Sequence, residues 1–383
     1  MILASEFINP ARDMGYDFYT GVPCSFLTSI INGVISDQRL DYVGATSEGE
    51  AVAIAAGAWL AGRKTVVMCQ NSGLGNAVNP LTSLNHPFRI PTLFITTWRG
   101  QPGLGDEPQH EVMGEITARL LETIAIPHDL LPDESGLVAT ALEKADATMT
   151  ETSLPFAFIM KKDSVRNDGL SQTPLPPRPL GEHTNLCENG GRPSRQRALE
   201  SFLALVPSRA AVIATTGKCT RELFTIEDRT QNFYQIGSMG CATGMGLGLA
   251  LNTERPVAIL DGDGALLMKM GTLATIGAYA PSGLLHIILD NGVHDSTGGQ
   301  ATVSEHVDFA RVALACGYAA AVSCDTLGGF EQALGSAFNG ASKGGWPRLI
   351  HMQIAPGSMK PLGRPTVEPT EVVARFKEFL SED

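Results

Sequence analysis

The sequence predicts an α/β protein that consists of two doubly wound domains, each built on a parallel sheet. Three observations carry this prediction. Short apolar runs alternate with helical stretches, the alternation occurs on both sides of one long break, and 383 residues exceed the usual size of one domain. Hydrophobic residues make up 43% of the chain, which is enough for two buried cores. Continuous apolar strands separated by helices are typical of parallel sheets covered on both faces.

The apolar runs that we interpret as strands fall into two groups. They are TVVMCQ, TLFITTW and FAFIM in the first part of the chain, and AAVIATT, PVAILDG, LLHIILDN and PRLIHMQI in the second. Helical stretches lie between and after them, for example EGEAVAIAAGAWLAG and TEVVARFKEFL. Ligands of such sheets bind beyond the carboxyl ends of the strands, so we expect the functional residues in the segments that follow these runs.

A segment rich in proline and glycine, residues 167–194, separates the two groups. Its four prolines between positions 174 and 179 stiffen the chain, and the Gly190–Gly191 pair loosens its end. We predict an extended linker between a first domain at 1–166 and a second domain at 195–383. The alternative is a long surface loop within one domain.

Charge and cysteine content exclude several classes of protein. The net charge of −12 argues against a nucleic-acid partner, although a local cationic cluster would still accept a small anionic substrate. Seven scattered cysteines without a C-x-x-C motif favour reduced thiols in a cytoplasmic enzyme over a disulfide framework or a zinc site. No apolar run reaches the length of a membrane span, and the N-terminal residues lack the pattern of a secretion signal, so we expect no membrane partner.

The segment PVAILDGDGALLMKMG reads as a strand, a Gly-Asp-Gly turn and a helix. Gly262 and Gly264 let the backbone approach a ligand, and the amides at the start of the helix face an anion. Asp263 would repel that anion unless a hard cation lay between them, and Mg²⁺ fits this role. The next strand ends at Asn291, whose amide oxygen would be a second ligand, and a loop follows it. The alternative is an ordinary strand-end turn with a routine Asx loop.

This spacing of Gly-Asp-Gly and a strand-end Asn resembles the signature of the enzymes that depend on thiamine diphosphate. The resemblance implies the fold of that family and Mg²⁺ bound by Asp263, Asn291 and the carbonyl of Val293. It also implies that the glycine-rich GSMGCATGMGLGLAL segment runs under the diphosphate. Met239 would wedge the cofactor into its bent shape. The alternative for Met239 is packing in the hydrophobic core. The implied cofactor-binding residues of the second domain are Gly217, Ser238, Met239, Gly262, Asp263, Gly264, Ala265, Asn291 and Val293.

The same glycine-rich segment has a second interpretation as a nucleotide-binding loop, with Asp261 as the acid that binds the ribose. The glycine spacing is not G-x-G-x-x-G, and Gly-Asp-Gly follows the strand directly. Both facts disfavour this interpretation.

The family also needs a carboxylate against the aminopyrimidine ring of the cofactor, and the resemblance assigns this catalytic role to Glu48. Glu48 precedes an alanine-rich helix, with Gly57 nine residues on as in the family. Glu50 competes, but as a first-turn residue it is explained by the helix dipole, and the same explanation is the alternative for Glu48. The loop QNSGLGN resembles the loop that faces the thiazolium, through Asn71 or Ser72. In the family the half-sites generally come from different subunits, which implies self-association with active sites at subunit interfaces.

Because no middle domain fits between the halves, the layout resembles the two-domain decarboxylases of phosphonopyruvate and sulfopyruvate. The stretches DEPQH and LDNGVHDSTGGQ favour the phosphonopyruvate subfamily. The implied reaction converts 3-phosphonopyruvate to phosphonoacetaldehyde and CO₂. The alternatives are sulfopyruvate decarboxylation and a non-catalytic cofactor-binding subunit. His110 and His294 are candidates for proton transfer. The candidate substrate residues are Arg99, His110, Lys218, Ser296 and Thr297, each of which has an ordinary alternative in ion pairing, solvation or helix capping.

Overall fold

In a computed structural model, the chain is described over residues 1–166, 169–339 and 345–382. It divides into two compact units, Met1–Pro174 and Leu175–Asp383. Each unit is an α/β structure with a parallel sheet, as the sequence predicts.

The first unit is built around a six-stranded parallel sheet. The described part of the unit has eight strands, six of which form this sheet: β1 (Ile2–Leu3), β2 (Tyr16–Gly21), β3 (Asp41–Gly44), β4 (Lys64–Cys69), β5 (Leu93–Thr97), β6 (His128–Leu130), β7 (Phe156–Met160) and β8 (Val165–Arg166). The order in the sheet is β3-β2-β4-β5-β7-β6, and every neighbouring pair is parallel. Strands β1 and β8 form a separate, short parallel pair.

Helices cover both faces of this sheet. They are α1 (Ala4–Asp13), α2 (Thr28–Ser36), α3 (Glu48–Leu60), α4 (Asn71–Pro80), α5 (His86–Phe88), α6 (Glu111–Thr123) and α7 (Ser135–Thr152). Because successive strand side chains point to opposite faces, Val66 and Met68 of β4 join a core cluster with α1, α2 and α7. Val67 and Cys69 join a second cluster with α3 and α4. The first unit is therefore doubly wound.

The second unit contains a seven-stranded parallel sheet and a small hairpin. Its strands are β9 (Glu182–Leu186), β10 (Ala211–Ala214), β11 (Asn232–Tyr234), β12 (Val257–Gly262), β13 (Leu284–Asp290), β14 (Val293–His294), β15 (Gln300–Ala301), β16 (Ala320–Cys324) and β17 (Arg348–Gln353). The sheet order is β11-β10-β12-β13-β17-β16-β9, all parallel. The antiparallel hairpin of β14 and β15 follows the central strand β13.

The helices of the second unit are α8 (Arg195–Leu205), α9 (Lys218–Ile226), α10 (Ala242–Ala250), α11 (Asp263–Met268), α12 (Thr272–Tyr279), α13 (Phe309–Ala315), α14 (Leu327–Asn339) and α15 (Pro369–Ser381). Helix α10 is buried along its whole length. A Cβ atom on Gly246 would lie 2.3 Å from Cδ1 of Ile259, so this glycine lets the helix pack directly on β12. Gly246 therefore serves helix–sheet packing.

The segment predicted as a linker is only partly a linker. The division between the units falls after Pro174, inside the predicted range, but residues Glu182–Leu186 form strand β9 at the edge of the second sheet. They pair in parallel with β16, and Asn167 and Asp168 lie outside the described residues. The second sheet thus begins before the predicted start of its domain.

Two further observations concern the chain as a whole. The seven cysteines, all within the described residues, form no disulfide. Within the described ranges, no helix has the length and apolarity needed to cross a bilayer.

Candidate active site

A cleft of about 260 Å³ lies in the second unit where β10, β12 and β13 end. This is the edge of a parallel sheet at which ligands bind. It is lined by nearly all of the second-domain residues predicted from the sequence: Gly217, Lys218, Met239, Gly262, Asp263, Gly264, Ala265, Asn291, Val293, His294, Ser296 and Thr297. Chain segments 217–218, 239, 262–265 and 291–297 are thus brought together.

Asp263 occupies the first position of α11, directly after β12. Its side chain is buried, and Thr302 donates a hydrogen bond to Oδ2 at 2.5 Å. Burial raises the pKa of Asp263, and the nearby charge of Asp290 raises it further. No ion pair neutralises this carboxylate among the described residues. A cation in the cleft would supply the missing compensation, because a buried carboxylate is costly without a partner.

Asn291 follows β13 and lies buried on the same cleft. Its side-chain amide donates to Oδ2 of Asp295 at 2.6 Å, while Oδ1 accepts one long hydrogen bond of 3.3 Å from the backbone of Val293. The amide oxygen therefore keeps the capacity to coordinate a cation. A carboxylate, an amide oxygen and a carbonyl are all oxygen ligands, which Mg²⁺ prefers.

The described residues contain no group of three or more His, Cys, Asp or Glu side chains placed to hold a metal. Only one of the three predicted magnesium ligands, Asp263, is a side chain of these types. The predicted magnesium site is therefore not a cluster of the kind described above.

Two side chains from other parts of the second unit lie over the start of α11. A Cβ atom on Gly264 would lie 2.7 Å from Cε1 of His294 and 3.3 Å from Cε of Met239. Glycine is thus required at 264 for these two side chains to lie over the helix start. Nearby, Oγ1 of Thr215 is buried on the cleft with no hydrogen-bond partner in the described part of the chain. An unpaired buried hydroxyl at this position fits a polar ligand such as a diphosphate.

Ser238 is the one predicted cofactor residue of this unit that does not line the cleft. It is buried with a φ of 43°, and its carbonyl accepts from the side-chain amide of Gln235 at 2.8 Å. Ser238 therefore shapes the turn that delivers Met239. The nucleotide interpretation is wrong, because Asp261 is fully buried and accepts from Thr243 Oγ1 at 2.7 Å and from the Gly262 amide at 2.9 Å.

In the first unit, the two glutamates at the start of α3 have different environments. Glu50 is buried and accepts from the backbone amide of Thr46 at 2.8 Å and from the Thr46 hydroxyl. Glu48 is half-buried, and the Asn76 side chain donates to its Oε2 at 2.8 Å. Glu50 thus stabilises the turn before the helix, and Glu48 keeps a carboxylate that is reachable by a ligand.

The structure separates the two loop candidates Asn71 and Ser72. Asn71 is fully buried, and its amide group donates to the carbonyl of Arg99 at 2.8 Å and to Thr117 Oγ1 at 3.0 Å. It also accepts from the Arg99 backbone amide at 3.2 Å. Asn71 therefore holds the Arg99 backbone. Ser72 is exposed and accepts from the side chain of Gln70, so of the two it is the one open to a ligand.

Arg99 is paired within its own loop. Its guanidinium donates to both oxygens of Asp106 at 2.7 and 2.5 Å, and it lies 4.8 Å over the ring of Phe26. Arg99 holds the pKa of Asp106 well below its ordinary value, with help from the backbone amide of Gly100. The loop ends at His110, which is buried with no described partner for Nδ1.

Two sequence models of one protein family match this chain. The N-terminal TPP-binding domain of thiamine pyrophosphate enzymes matches residues 3–119, and the C-terminal TPP-binding domain matches residues 215–352. Thiamine pyrophosphate is another name for thiamine diphosphate. The chain belongs to the thiamine pyrophosphate enzyme family. Its fold and its cofactor are therefore those that the resemblance implied.

Relatives of this thiamine pyrophosphate enzyme match over its whole length. It is 48% identical to a phosphonopyruvate decarboxylase of Streptomyces viridochromogenes, over 100% of this chain and 96% of the relative. It is 47% identical to a phosphonopyruvate decarboxylase of Streptomyces hygroscopicus, over 100% and 95%. A sulfopyruvate decarboxylase of Methanosarcina acetivorans is 31% identical, over 98% and 97%.

Two solved structures share the fold. The 4-hydroxybenzoylformate decarboxylase of Rhodococcus jostii RHA1 superposes with a TM-score of 0.70 at 14% identity, covering 94% of this chain and 100% of that one. Benzoylformate decarboxylase of Polynucleobacter necessarius gives a TM-score of 0.72, also at 14% identity, with the same coverage.

Sequence reasoning missed several residues around the cleft of this thiamine pyrophosphate enzyme. Thr302 contacts Asp263 across 39 positions, and Arg195 contacts Asp295 across 100. No local motif connects residues so far apart. Asp295 could have been predicted, because it lies four positions after Asn291 in a loop already identified from the sequence.

Proposed function

We propose that this thiamine pyrophosphate enzyme decarboxylates 3-phosphonopyruvate to phosphonoacetaldehyde and CO₂, as a carbon–carbon lyase. The observation that carries the proposal is the 48% identity to a phosphonopyruvate decarboxylase across the whole chain. Identity to a full-length sulfopyruvate decarboxylase is 31%. Sulfopyruvate is therefore the second candidate substrate.

The cofactor site rests on the cleft of the second unit. Asp263, Asn291 and the carbonyl of Val293 would hold Mg²⁺, and Mg²⁺ would in turn hold the diphosphate beside Thr215. When bound, thiamine diphosphate supplies the carbon that adds to the keto group and accepts the electrons left by the departing CO₂. Side chains of the protein carry out the remaining tasks, which are proton transfer and binding of the substrate.

Glu48 is the residue that we assign to the aminopyrimidine end of the cofactor. Its carboxylate would share a proton with a ring nitrogen, and its position is set by Asn76. Such a contact needs a carboxylate that is fixed in place but not consumed by other hydrogen bonds. Glu48 meets this condition, whereas Glu50 is already engaged by Thr46.

His294 and Lys218 are the groups that we assign to the substrate end of the cleft. The imidazole of His294 lies over the start of α11 and would deliver or take up a proton there. Lys218 lines the cleft without a hydrogen-bond or ion-pair partner among the described residues, so its charge is available to an anionic group. Arg99 is a weaker candidate, because Asp106 already neutralises it.

We further infer that the protein self-associates, with active sites at subunit interfaces, as in the family that it belongs to. The proposed partner of the site is a small anionic 2-oxo acid. The seven cysteines of the protein form no disulfide within the described residues, which supports a reducing, cytoplasmic location.

The test is an initial-rate assay of the purified protein with Mg²⁺ and thiamine diphosphate. It compares CO₂ release from 3-phosphonopyruvate, 3-sulfopyruvate and pyruvate. We expect kcat/KM to favour the phosphonate by a factor of about 100, or about 2.7 kcal/mol of transition-state discrimination. Preference for the sulfonate would move the protein to the second candidate function. No turnover of any of the three, with cofactor bound, would refute catalysis and favour the non-catalytic subunit.

A further inference from the structure

The amide of Asn291 is held by a buried group of charged residues that are not among the predicted metal ligands, although two of them, Arg195 and Asp295, line the same cleft. Oδ2 of Asp295 accepts from the Asn291 side chain at 2.6 Å and from Arg195 Nη2 at 2.8 Å. Ionised carboxylates only accept hydrogen bonds, so Asp295 can face only the NH₂ side of the Asn291 amide. This contact selects one of the two orientations of the amide.

Arg195 is fixed in place from several sides. Its side chain is 7% exposed, and Nη1 donates to Oε1 of Glu222 at 3.1 Å and to the carbonyl of Gly357 at 3.2 Å. The amide of Gly357 donates back to Asp295, at 3.1 and 3.2 Å to its two oxygens. Arg195, Gly357 and Asp295 therefore form a closed ring of hydrogen bonds.

The charges of this group favour a supporting role over direct coordination. The guanidinium of Arg195 lies between two carboxylates, and the exposed fraction is 0% for the side chain of Glu222 and 11% for that of Asp295. Arg195 offsets the negative charge of Asp295, and hydrogen bonds engage both of its oxygens. Both oxygens of Asp295 are consequently engaged by protein donors, and Asp295 does not compete with Asn291 for a cation.

We propose that Arg195 and Asp295 are positioning residues that turn the carbonyl oxygen of Asn291 toward the metal in the cleft. The proposal rests on the cofactor site described under Proposed function. Residues that orient a metal ligand generally contribute about 10- to 100-fold to metal affinity. If Asp295 were lost, the Asn291 amide could rotate and present its NH₂ group to the cation. The partial positive charge of the NH₂ hydrogens would repel the cation.

The experiment measures the affinity of Mn²⁺, as a paramagnetic substitute for Mg²⁺, by electron paramagnetic resonance with thiamine diphosphate present and no oxo acid. The variants are Asp295→Ala, Asp295→Asn and Arg195→Lys. Arg195→Lys keeps the charge but cannot span the same partners. The matched controls are Arg197→Ala, on the same helix and 66% exposed, and Asp129→Ala, in a surface ion pair with Lys144.

We expect Asp295→Ala to weaken Mn²⁺ binding about 10- to 100-fold. The Mn²⁺ affinities of Asp295→Asn and Arg195→Lys should lie between those of Asp295→Ala and the wild type. The control variants should bind Mn²⁺ with wild-type affinity. A purely structural role would lower the Tm of the cofactor-free protein and leave Mn²⁺ affinity unchanged.

Wild-type Mn²⁺ affinity in folded Asp295→Ala would overturn the proposal. If that variant does not fold, wild-type affinity in Asp295→Asn, which keeps the side-chain volume, would do the same. Wild-type affinity in Arg195→Lys would remove the role of the guanidinium. Because no oxo acid is present, a failed decarboxylation assay leaves this result standing. Absence of Mn²⁺ binding in the wild-type protein would overturn the inference together with the cofactor site.

Discussion

A Cβ atom on Gly73 would lie 2.2 Å from Oε1 of Glu48, so the glutamate occupies the space that any side chain at position 73 would need. Gly73 belongs to α4, and Asn76 of the same helix donates to the other oxygen of Glu48. One helix thus both makes room for the carboxylate and orients it.

We expect Gly73→Ala to lower kcat strongly and to change stability little. The new methyl group would displace the end of a flexible side chain, and alanine favours a helix over glycine by about 1 kcal/mol. Steady-state kinetics and thermal unfolding would measure the two effects. Gly75→Ala is the matched control, because nothing lies within 4 Å of its Cβ position in the same helix. Unchanged kcat in Gly73→Ala would contradict the role given to Glu48.

Replacement of the two glutamates of α3 should affect two different properties, catalysis for Glu48 and stability for Glu50. Glu48→Gln should greatly reduce kcat while much of the affinity for thiamine diphosphate remains, because the amide cannot share a proton with the ring. Glu50→Gln should instead lower the free energy of unfolding, since Glu50 is buried and accepts from Thr46. Parallel kinetics and urea unfolding of both variants test this pair. Near-wild-type kcat in Glu48→Gln would show that the catalytic assignment is wrong.

Removal of the proposed metal ligand should abolish the effect of Mg²⁺ on cofactor binding. In Asp263→Ala, calorimetry should detect little Mg²⁺-dependent binding of thiamine diphosphate. Titration with the chelator EDTA present gives the metal-independent baseline for both proteins. Thr302→Val removes the hydroxyl that donates to Asp263 and should weaken binding less. The same affinity in Asp263→Ala as in wild type would exclude Asp263 as a ligand.

The ion pair of Arg99 and Asp106 should contribute stability that depends on pH. The pKa of Asp106 is lower in the folded protein than its ordinary value, because Arg99 donates two hydrogen bonds to it. A group with a lowered folded pKa stabilises above its unfolded pKa and loses that contribution as the pH falls through the folded value. Asp106→Asn should therefore destabilise the protein at neutral pH, and its difference from wild type should shrink below about pH 4.

Urea unfolding at neutral and acidic pH measures this difference. Asp13→Asn is the control, because Asp13 is 72% exposed in a surface pair with Arg12 and such pairs contribute little. A constant difference between Asp106→Asn and wild type across the acidic range would rule out the linkage.

The sequence predicted those parts of the structure that depend on local patterns. The sequence predicted that Asp263 and Asn291 lie close together, because each follows an apolar strand and neighbouring parallel strands end at the same edge of a sheet. Arg195 was missed because only the packing of the whole second unit brings it to Asp295. The sequence left Asn71 and Ser72 as equal candidates, because they differ in burial and hydrogen-bond partners, which neighbouring residues in the sequence do not reveal.

Strand β9 was missed for a different physical reason. Four of its five residues are exposed, so it lacks the apolar run by which a strand is recognised. It exists because its backbone pairs with β16, and His183 contacts Ser323 at 3.0 Å across that pair.

This edge strand determines where the chain can be cut. A recombinant fragment that starts at residue 195 would lack β9 and leave the backbone groups of β16 unpaired. Exposed strand edges of this kind bind other chains and promote aggregation. A fragment that starts at Leu175, where the second unit begins, would retain its own edge strand and is the better choice for producing that unit alone.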